Sequence, residues 1–330
     1  MKAMVMARAG NPDILELKEI PAPAITGPTE VLVRVKAAGV NPVDTKLRRG
    51  HYHLPQLPAL LGCDGAGVVE ATGKHVTRVK PGDEIYFFHG GFGLKPGNYA
   101  EYTVLDERFL ALKPRSLDFI RAAAAPLVLI TAWEALHDRA RLGFGHTVLI
   151  HAGAGGVGHI AIQLAKLAGA RVATTIGSEE KITFVNTLGA DCAINYRQQD
   201  FVAAVLEWTQ GKGVDIAMDN VGGGTFQATF PAVRFYGDLV TLLPPENTTD
   251  WTVARQRNLR VSLEVMLSPQ MFDLEQAQRH QAWILEEGAR RFDGGELTVH
   301  VSHVLPLGEA AEAHALLEKG GTIGKIVLAM

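Results

Sequence analysis

A glycine-rich stretch near the middle of the chain, VLIHAGAGGVGHIAIQLAKLAG, restricts the possible fold more than any other feature. Gly153, Gly155 and Gly158 fit the spacing G-x-G-x-x-G, directly after an apolar run of strand length. Apolar residues then recur at the helical period, at 157, 160, 164 and 167. A strand, a tight glycine turn and a helix in this order predict a βα unit that can hold a phosphate.

Each glycine has a mechanical role in such a turn. The first permits the tight turn, the second lets a pyrophosphate approach the backbone, and the third lets the helix pack closely on the strand. Free N–H groups at the helix start then face the phosphates. An ordinary glycine-rich turn is the alternative, which the alternating elements downstream disfavour. The residues predicted to bind a dinucleotide here are Gly153, Gly155, Gly156, Val157 and Gly158.

The order of the predicted strands and helices along the chain indicates two domains. Strands and helices alternate through the middle, which is typical of a parallel sheet with helices on both faces. The first third and the tail are instead rich in short strands, so the chain is expected to return to its first domain. We predict an α/β protein with a β-rich domain at 1–121 and 294–330, and a doubly wound dinucleotide-binding domain at 122–293.

Composition disfavours several other classes of protein. Lys plus Arg number 32 against 35 Asp plus Glu, for a net charge of −3, so nucleic acid is not expected as a partner. No stretch approaches the roughly 20 apolar residues of a membrane span, and the first residues do not read as a signal peptide. The only cysteines, Cys63 and Cys192, exclude a disulfide framework and a four-cysteine zinc site. A reducing cytoplasm is the expected compartment.

The end of the second strand of the middle region predicts which dinucleotide binds. An NAD site usually has an acid there, about 20 residues after the glycines, but this strand end has none. Ser178 could donate a hydrogen bond to a 2′-phosphate, Lys181 could supply positive charge, and Tyr196 could cover the adenine or the phosphate. These residues favour NADP(H) over NAD(H). Glu179 and Glu180 oppose this choice, because carboxylates turned inward would repel a phosphate.

Eight stretches in a fixed order extend the comparison to nearly the whole chain: VKAAGVNPVDTKLRRG, LLGCDGAGVV, VKPGDEIY, NYAEYTVL, PLVLITAWEAL, AGAGGVGHIAIQLAKLAGA, NYRQQDF and GKIVL. They resemble the medium-chain dehydrogenase/reductases, and specifically the zinc-free quinone oxidoreductase or ζ-crystallin branch. The resemblance implies a GroES-like β-rich catalytic domain from both chain ends and a Rossmann domain between them. It also implies a homodimer formed through the last Rossmann strand, within LRVSLEVML.

The same resemblance implies roles for residues outside the glycine turn. Asn41 would lie near the nicotinamide and the substrate, and Tyr52 would line the substrate pocket. Asn41 could equally cap a turn before Pro42, and Tyr52 could be a surface aromatic. The further cofactor neighbours that the resemblance implies are Thr131, Asn220, Gly222, Leu242 and Leu243.

Zinc-dependent members of the superfamily hold a catalytic metal with three protein ligands and one open position. Asn41 and Leu127 stand where two of those ligands would be, and neither side chain is a zinc ligand. Cys63 and Asp64 are adjacent and do not by themselves make a tetrahedral site. The remaining candidate ligands are His51, His53 and His89. We therefore predict no catalytic zinc.

Loss of zinc changes the expected chemistry. Alcohol oxidation needs a group that stabilises an alkoxide, whereas reduction of a quinone or an enone develops delocalised charge that a hydrogen-bond donor can meet. We predict an NADPH-dependent oxidoreductase that transfers hydride to a quinone or an α,β-unsaturated carbonyl, with no proton donor identified. Two alternatives stay open: a zinc-type alcohol dehydrogenase with an atypical metal site, and a catalytically weak, NADPH-binding protein like the crystallins.

Overall fold

The structure, a computed structural model, describes residues 1–52, 56–92 and 95–330. These residues form two compact units. The terminal unit combines the two chain ends, Met1–Leu127 and Leu267–Met330, and the central unit is the continuous segment Val128–Met266. Among the described helices, none combines the length and apolar character needed to cross a membrane.

In chain order, the first part of the terminal unit contains β1 (Lys2–Met6), β2 (Leu15–Glu19), β3 (Glu30–Val40), α1 (Pro42–Arg48), β4 (Ala59–Leu60), β5 (Asp64–Thr72), β6 (Glu84–Phe88), β7 (Tyr102–Asp106), β8 (Leu110–Leu112) and α2 (Phe119–Ala124). There follow α3 (Pro126–Trp133), a π-helical segment (Glu134–Arg139), β9 (Thr147–Ile150), α4 (Gly156–Leu167), β10 (Arg171–Ile176), α5 (Glu180–Thr187), β11 (Cys192–Asn195), α6 (Phe201–Trp208), β12 (Val214–Asp219), α7 (Gly224–Ala228), β13 (Val233–Thr241), α8 (Thr252–Gln256) and β14 (Arg260–Leu263). The last elements are α9 (Ser268–Met271), α10 (Glu275–Asp293), β15 (Val301–Pro306), α11 (Ala310–Lys319) and β16 (Lys325–Ala329). Short 3₁₀ turns span Pro12–Ile14, Glu107–Phe109, Phe230–Ala232 and Leu307–Glu309.

Seven strands form the main sheet of the terminal unit. Its order is β15-β16-β3-β5-β6-β8, with β7 also paired to β3, and β2-β1-β4 form a smaller sheet. Alternation explains β3, because Val31, Val33 and Val35 are buried while Arg34 between them is exposed. A side chain at Gly39 would lie 2.5 Å from Ala123 O, so this glycine lets α2 pack against β3. The two chain ends therefore contribute to one sheet and one core.

Helix α10 belongs to the terminal unit, although the predicted boundary at residue 293 assigned it to the dinucleotide-binding domain. The Tyr86 hydroxyl donates a hydrogen bond to Leu285 O, and Arg78 forms an ion pair with Glu286. The amphipathic pattern of this helix predicts one buried face but does not say which sheet covers it. The other predicted boundary, at residue 121, lies six residues before the end of the first segment of this unit.

Six parallel strands form the sheet of the central unit. Their order is β11-β10-β9-β12-β13-β14, which in order of appearance is 3-2-1-4-5-6, the doubly wound arrangement. Three of the four residues of β9 are fully buried, as expected for a strand covered on both faces. Since ligands of such sheets bind at the carboxyl ends of the strands, where the order reverses, the candidate site lies after β9 and β12. The predicted fold class is confirmed.

Candidate functional site

Close packing explains two of the glycines that follow β9. A Cβ at Gly153 would lie 2.0 Å from Thr174 Oγ1, and a Cβ at Gly158 would lie 2.3 Å from Ala152 O. Gly153 also donates its N–H to Thr175 O, at 3.0 Å, which holds the turn against β10. These glycines are required because of space rather than because of an unusual backbone conformation, since neither has a positive φ.

The start of α4 offers donors to an anion. Gly155 caps the helix in an extended conformation, and the first turn has no acidic residue. The first hydrogen bond of the helix runs from His159 N–H to Gly155 O, at 3.1 Å. The N–H groups of Gly156, Val157 and Gly158 precede that bond, and with the helix dipole they suit a pyrophosphate.

A buried carboxylate shapes the loop after β12. Asp219 accepts N–H hydrogen bonds from Val221 and Gly222, each at 2.9 Å, and accepts the Thr241 hydroxyl at 3.0 Å. Gly222 has φ +74°, and a Cβ there would lie 2.7 Å from Leu243 Cδ1. The loop after β12 thus packs on the residues after β13. Sequence-predicted cofactor neighbours that meet here are Asn220, Gly222, Leu242 and Leu243.

Asn220 provides a test of whether a dinucleotide fits this edge. Its Nδ2 donates to His151 O at 2.8 Å, beside the glycine turn. Its Oδ1 is buried and has no hydrogen-bond partner among the described residues. A buried acceptor without a donor is costly, and a ribose hydroxyl would satisfy it. Together with the tight glycine turn and the start of α4, this acceptor fits a dinucleotide.

The residues predicted to bind a 2′-phosphate lie at the ends of β10 and β11. The Tyr196 hydroxyl lies 2.9 Å from the position that a Cβ on Gly177 would occupy, so this half-exposed ring covers the end of β10. Ser178 Oγ donates to Glu180 Oε1 at 3.2 Å, and Asn195 Nδ2 donates to a Glu179 carboxylate oxygen at 3.0 Å. Both carboxylates therefore turn toward this corner and compete for its donors. Lys181, in the first turn of α5, is partly exposed.

Thr131 lies in α3, where it is buried. The segment that follows, Glu134–Arg139, is π-helical, a feature that often accompanies functional sites. Arg139 within it forms an ion pair with the buried Glu264, at 2.8 Å.

In the terminal unit, the side chain of Asn41 is fully buried within a polar cluster. Its Nδ2 donates to Asp64 Oδ2 at 2.9 Å, and its Oδ1 accepts from Lys325 Nζ. The same ammonium donates to Val40 O at 3.1 Å, and Asp64 Oδ1 accepts the Leu127 N–H at 2.8 Å. Both polar atoms of the Asn41 side chain are thus engaged by charged groups.

A second carboxylate extends this cluster. Asp44 accepts the Asn41 N–H at 2.8 Å, the Tyr99 hydroxyl at 3.2 Å and the Cys63 thiol at 3.5 Å. Burial raises the pKa of Asp44 to about 6 and also raises the pKa of Asp64. Burial and the two carboxylates raise the pKa of the Cys63 thiol, so it stays protonated and unreactive.

The other sequence-predicted residues of the terminal unit are dispersed. Tyr52 is 44% exposed, and His51 beside it is exposed as well. His53 lies outside the described residues. His89 is buried, and burial lowers its pKa to about 3, so its ring is neutral. Within the described ranges, no three His, Cys, Asp or Glu side chains are grouped so that they could hold a metal ion.

Two protein families match parts of the chain. A family described as alcohol dehydrogenase GroES-like domain matches residues 27–115, and one described as zinc-binding dehydrogenase matches residues 188–328. A quinone oxidoreductase of Pseudomonas aeruginosa is 35% identical over 330 residues, covering 99% of each chain. The chain belongs to the medium-chain dehydrogenase/reductase superfamily, in its quinone oxidoreductase branch. It is therefore an NAD(P)H-dependent oxidoreductase.

Other members of the superfamily are also similar. An NADPH-dependent alkenal/one oxidoreductase of Arabidopsis thaliana chloroplasts is 42% identical over 208 residues, which cover 61% of this chain and 53% of that protein. The crystal structure of Escherichia coli quinone oxidoreductase complexed with NADPH is 28% identical, with a TM-score of 0.90 over 100% of both chains. A crystal structure of an NAD-dependent alcohol dehydrogenase is 36% identical, with a TM-score of 0.91 over 100% of both chains.

Proposed function

We propose that this protein transfers hydride from NADPH to a quinone or an α,β-unsaturated carbonyl without a catalytic metal. The observation that carries the proposal is the carboxyl edge of the central sheet. There the glycine turn, the start of α4 and the unpartnered acceptor of Asn220 meet. The similarity to a quinone oxidoreductase and to an alkenal/one oxidoreductase supports the choice of acceptor.

NADPH, when bound, supplies the hydride, and the residues of the chain bind and orient it. The N–H groups at the start of α4 would hold the pyrophosphate, and Asn220 Oδ1 would accept a hydrogen bond from a ribose hydroxyl. Ser178, Lys181 and Tyr196 would hold the 2′-phosphate, once Ser178 releases Glu180. Residues proposed to border the remainder of the cofactor are Thr131, Gly222, Leu242 and Leu243.

Charge in the terminal unit supports a metal-free reaction. The ammonium of Lys325 lies against Asn41, which stands at a ligand position of the zinc enzymes, and is 3.6 Å from Asp64. A fixed cation there opposes a second cation, and the protonated Cys63 thiol is a poor metal ligand. Conjugated acceptors suit such a site, because the charge that develops on them is delocalised and needs only a hydrogen-bond donor.

Tyr52 and Asn41, the two residues expected near the substrate, differ in whether their side chains are free to contact the acceptor. Tyr52 is partly exposed, and we propose that it contacts the acceptor. Asn41 would have to break its bond to Asp64 or to Lys325 before its amide could bind substrate. We therefore propose that Asn41 forms part of the wall of the acceptor site. It would bind the acceptor directly only after one of these two bonds has opened.

Cofactor titration and an acceptor panel test the proposal. Purified protein is titrated with NADPH and NADH by fluorescence, then assayed with p-benzoquinone, 9,10-phenanthrenequinone and an alkenal, before and after chelation. We expect tighter binding of NADPH, oxidation by at least one acceptor, and activity that survives chelation. Tight binding without turnover would support the crystallin-like alternative, and stoichiometric zinc with alcohol oxidation would support the alcohol dehydrogenase alternative.

We also propose a homodimer formed through β14. This strand is bonded to β13 on one side. Leu263, its last residue, is 58% exposed, and Val265, two residues beyond its end, is 50% exposed. An apolar edge of this kind favours pairing with a second copy. Light scattering of the wild type and of a Leu263→Lys variant tests this, and a monomeric wild type would contradict it. A reducing cytoplasm, our expected location, suits the two unpaired cysteines.

A further inference from the structure

A chain of hydrogen bonds passes through His151, directly behind the glycine turn. The residue follows β9 and its side chain is buried. Its Nδ1 lies 3.1 Å from Thr175 Oγ1 on β10, and its Nε2 lies 2.9 Å from Thr229 Oγ1, just after α7. The imidazole ring therefore links β10 to the segment that follows α7.

The direction of each bond follows from the two hydroxyl groups. Thr229 Oγ1 donates its only proton to Thr225 O, at 2.7 Å, so it must accept from His151 Nε2–H. The Nδ1 atom of the neutral ring is then an acceptor, and the Thr175 hydroxyl donates to it. Thr175 Oγ1 in turn accepts the Ala152 N–H at 3.1 Å. Burial lowers the pKa of His151 to about 4, which keeps the ring neutral.

The chain of hydrogen bonds ends at Ala152, the most constrained residue of the turn. Ala152 has φ +54°, a left-handed conformation that a residue with a Cβ adopts only when its surroundings impose it. Its N–H is held by Thr175, and its carbonyl accepts the Gly155 N–H at 2.9 Å. The carbonyl of His151 meanwhile accepts Asn220 Nδ2. One residue thus holds both the start of the turn and the orientation of Asn220.

We propose that His151 is a positioning residue for dinucleotide binding. Its neutral ring, protonated at Nε2, orients Thr175, and Thr175 holds Ala152 so that the turn has its phosphate-binding shape before the cofactor arrives. A turn ordered in advance loses less freedom on binding, which raises affinity without any contact between His151 and the cofactor. The inference rests on the proposed function, because it presumes a dinucleotide at residues 153–158.

Thr175→Val is the sharpest variant, because it keeps the shape of the side chain and removes both hydrogen bonds of its hydroxyl. We expect the Kd for NADPH and for NADH to rise together by about tenfold, since both cofactors carry the pyrophosphate. The kcat at saturating cofactor should stay within about twofold. Thr175→Ser keeps the hydroxyl and should restore most of the affinity.

Thr209→Val is the matched control. Thr209 Oγ1 also accepts one backbone N–H, from Gly213 at 2.9 Å, and donates to a carbonyl, that of Val205 at 2.7 Å. It lies before β12, at the other end of that strand from the glycine turn. This variant should lose a similar amount of stability in urea unfolding, with a Kd for NADPH within about twofold of the wild-type value.

Nitrogen-15 NMR of wild-type protein at pH 7 tests the direction of the bonds independently of any variant. The inference expects a neutral His151 ring protonated at Nε2, and a ring protonated at Nδ1 would overturn it. Thr175→Val with an unchanged Kd, or Thr209→Val with an equal loss of affinity, would overturn it while the proposed function stands. Wild-type protein that binds neither nucleotide would overturn both.

Discussion

Two buried polar clusters, one in each unit, differ in whether their groups are neutral or charged. The cluster around His151 uses neutral groups whose hydrogen bonds run in one direction and end on the backbone. The cluster around Asn41 contains Asp44, Asp64 and Lys325, so its groups are charged and depend on one another. The neutral groups add no negative charge next to the phosphate-binding turn, and the nearby Asp219 carboxylate is held by two backbone N–H groups and the Thr241 hydroxyl.

The charged cluster is larger than its first contacts suggest. Arg48 Nε donates to His314 Nδ1 at 3.2 Å, so His314 Nε2–H donates to the Tyr99 hydroxyl, also at 3.2 Å. Tyr99 then donates to Asp44, and Arg48 forms an ion pair with Glu318. The basic stretch after Asn41 is therefore partly internal. Removing a neutral group breaks its hydrogen bonds, whereas removing a charged group also leaves an opposite charge buried without compensation.

The largest effect in this comparison is expected from Lys325→Met. The variant leaves Asp64 without its buried cation, so the free energy of unfolding should fall by about 3–5 kcal/mol in urea denaturation. Lys166→Met removes a partly exposed ion pair with Asp191 and should change the free energy of unfolding by less than about 1 kcal/mol. Equal losses in the two variants would contradict the view that the cluster is interdependent.

Acid should destabilise the folded chain. The pKa values of His89, His151 and His314 fall from 6.5 to about 3, 4 and 3 because these rings are buried. The unfolded chain therefore takes up more protons below pH 6.5, and each histidine loses about 1 kcal/mol of stabilisation between pH 7 and 5.5. The pKa of Asp44, raised from 3.8 to about 6, opposes this by less than about 1 kcal/mol over the same range, and the raised pKa of Asp64 acts in the same direction as that of Asp44.

Urea unfolding at pH 7 and pH 5.5 measures the sum of these contributions. We expect the free energy of unfolding to be about 2–3 kcal/mol lower at pH 5.5. His75→Asn, which removes an exposed histidine, should leave the difference unchanged. Stability that is equal at the two pH values would show that the buried rings are not held neutral.

Gly153→Ala tests the packing of the neutral cluster. The new Cβ would lie 2.0 Å from Thr174 Oγ1, so the free energy of unfolding should fall by about 1–3 kcal/mol and NADPH affinity should fall with it. Adding Thr174→Ala should recover part of both losses. Gly224→Ala, where a Cβ meets no atom within 4 Å, is the control and should be tolerated.

The smallest effects concern the 2′-phosphate corner. Lys181→Ala should raise the Kd for NADPH by about five- to tenfold and leave NADH nearly unchanged, because only NADPH carries the extra phosphate. Glu180→Ala frees Ser178 and should lower the Kd for NADPH by about two- to threefold. Equal changes for NADPH and NADH would argue against phosphate binding at this corner.

Local patterns predicted the elements whose order carries the fold. The glycine turn and the helical period that starts at Val157 predicted the start of α4 to within one residue. Helices α1 and α11 were not predicted, because both are short and packed against the terminal unit rather than marked by a strong pattern. The proline at the start of α1 and the capping box of Asn41 and Asp44 were the available signals.

His151 and Lys325 show what local patterns missed at the candidate sites. His151 is a polar residue at the end of an apolar strand, and Lys325 lies within the stretch GKIVL, so each was visible but had no predicted partner. The hydroxyl partners of the His151 ring lie 24 and 78 residues away in the sequence. Lys325 and its partner Asn41 are 284 residues apart.

The sequence alone determined the parallel sheet and the turn proposed to take a pyrophosphate, because periodicity and glycine spacing act over a few neighbouring residues. It indicated the superfamily through the resemblance of eight stretches spread along the chain. Only the tertiary structure decided which polar side chains are buried together, which ring nitrogen of His151 carries the proton, and which unit holds α10. Those properties depend on which distant residues meet, and desolvation then decides the charge that each of them carries.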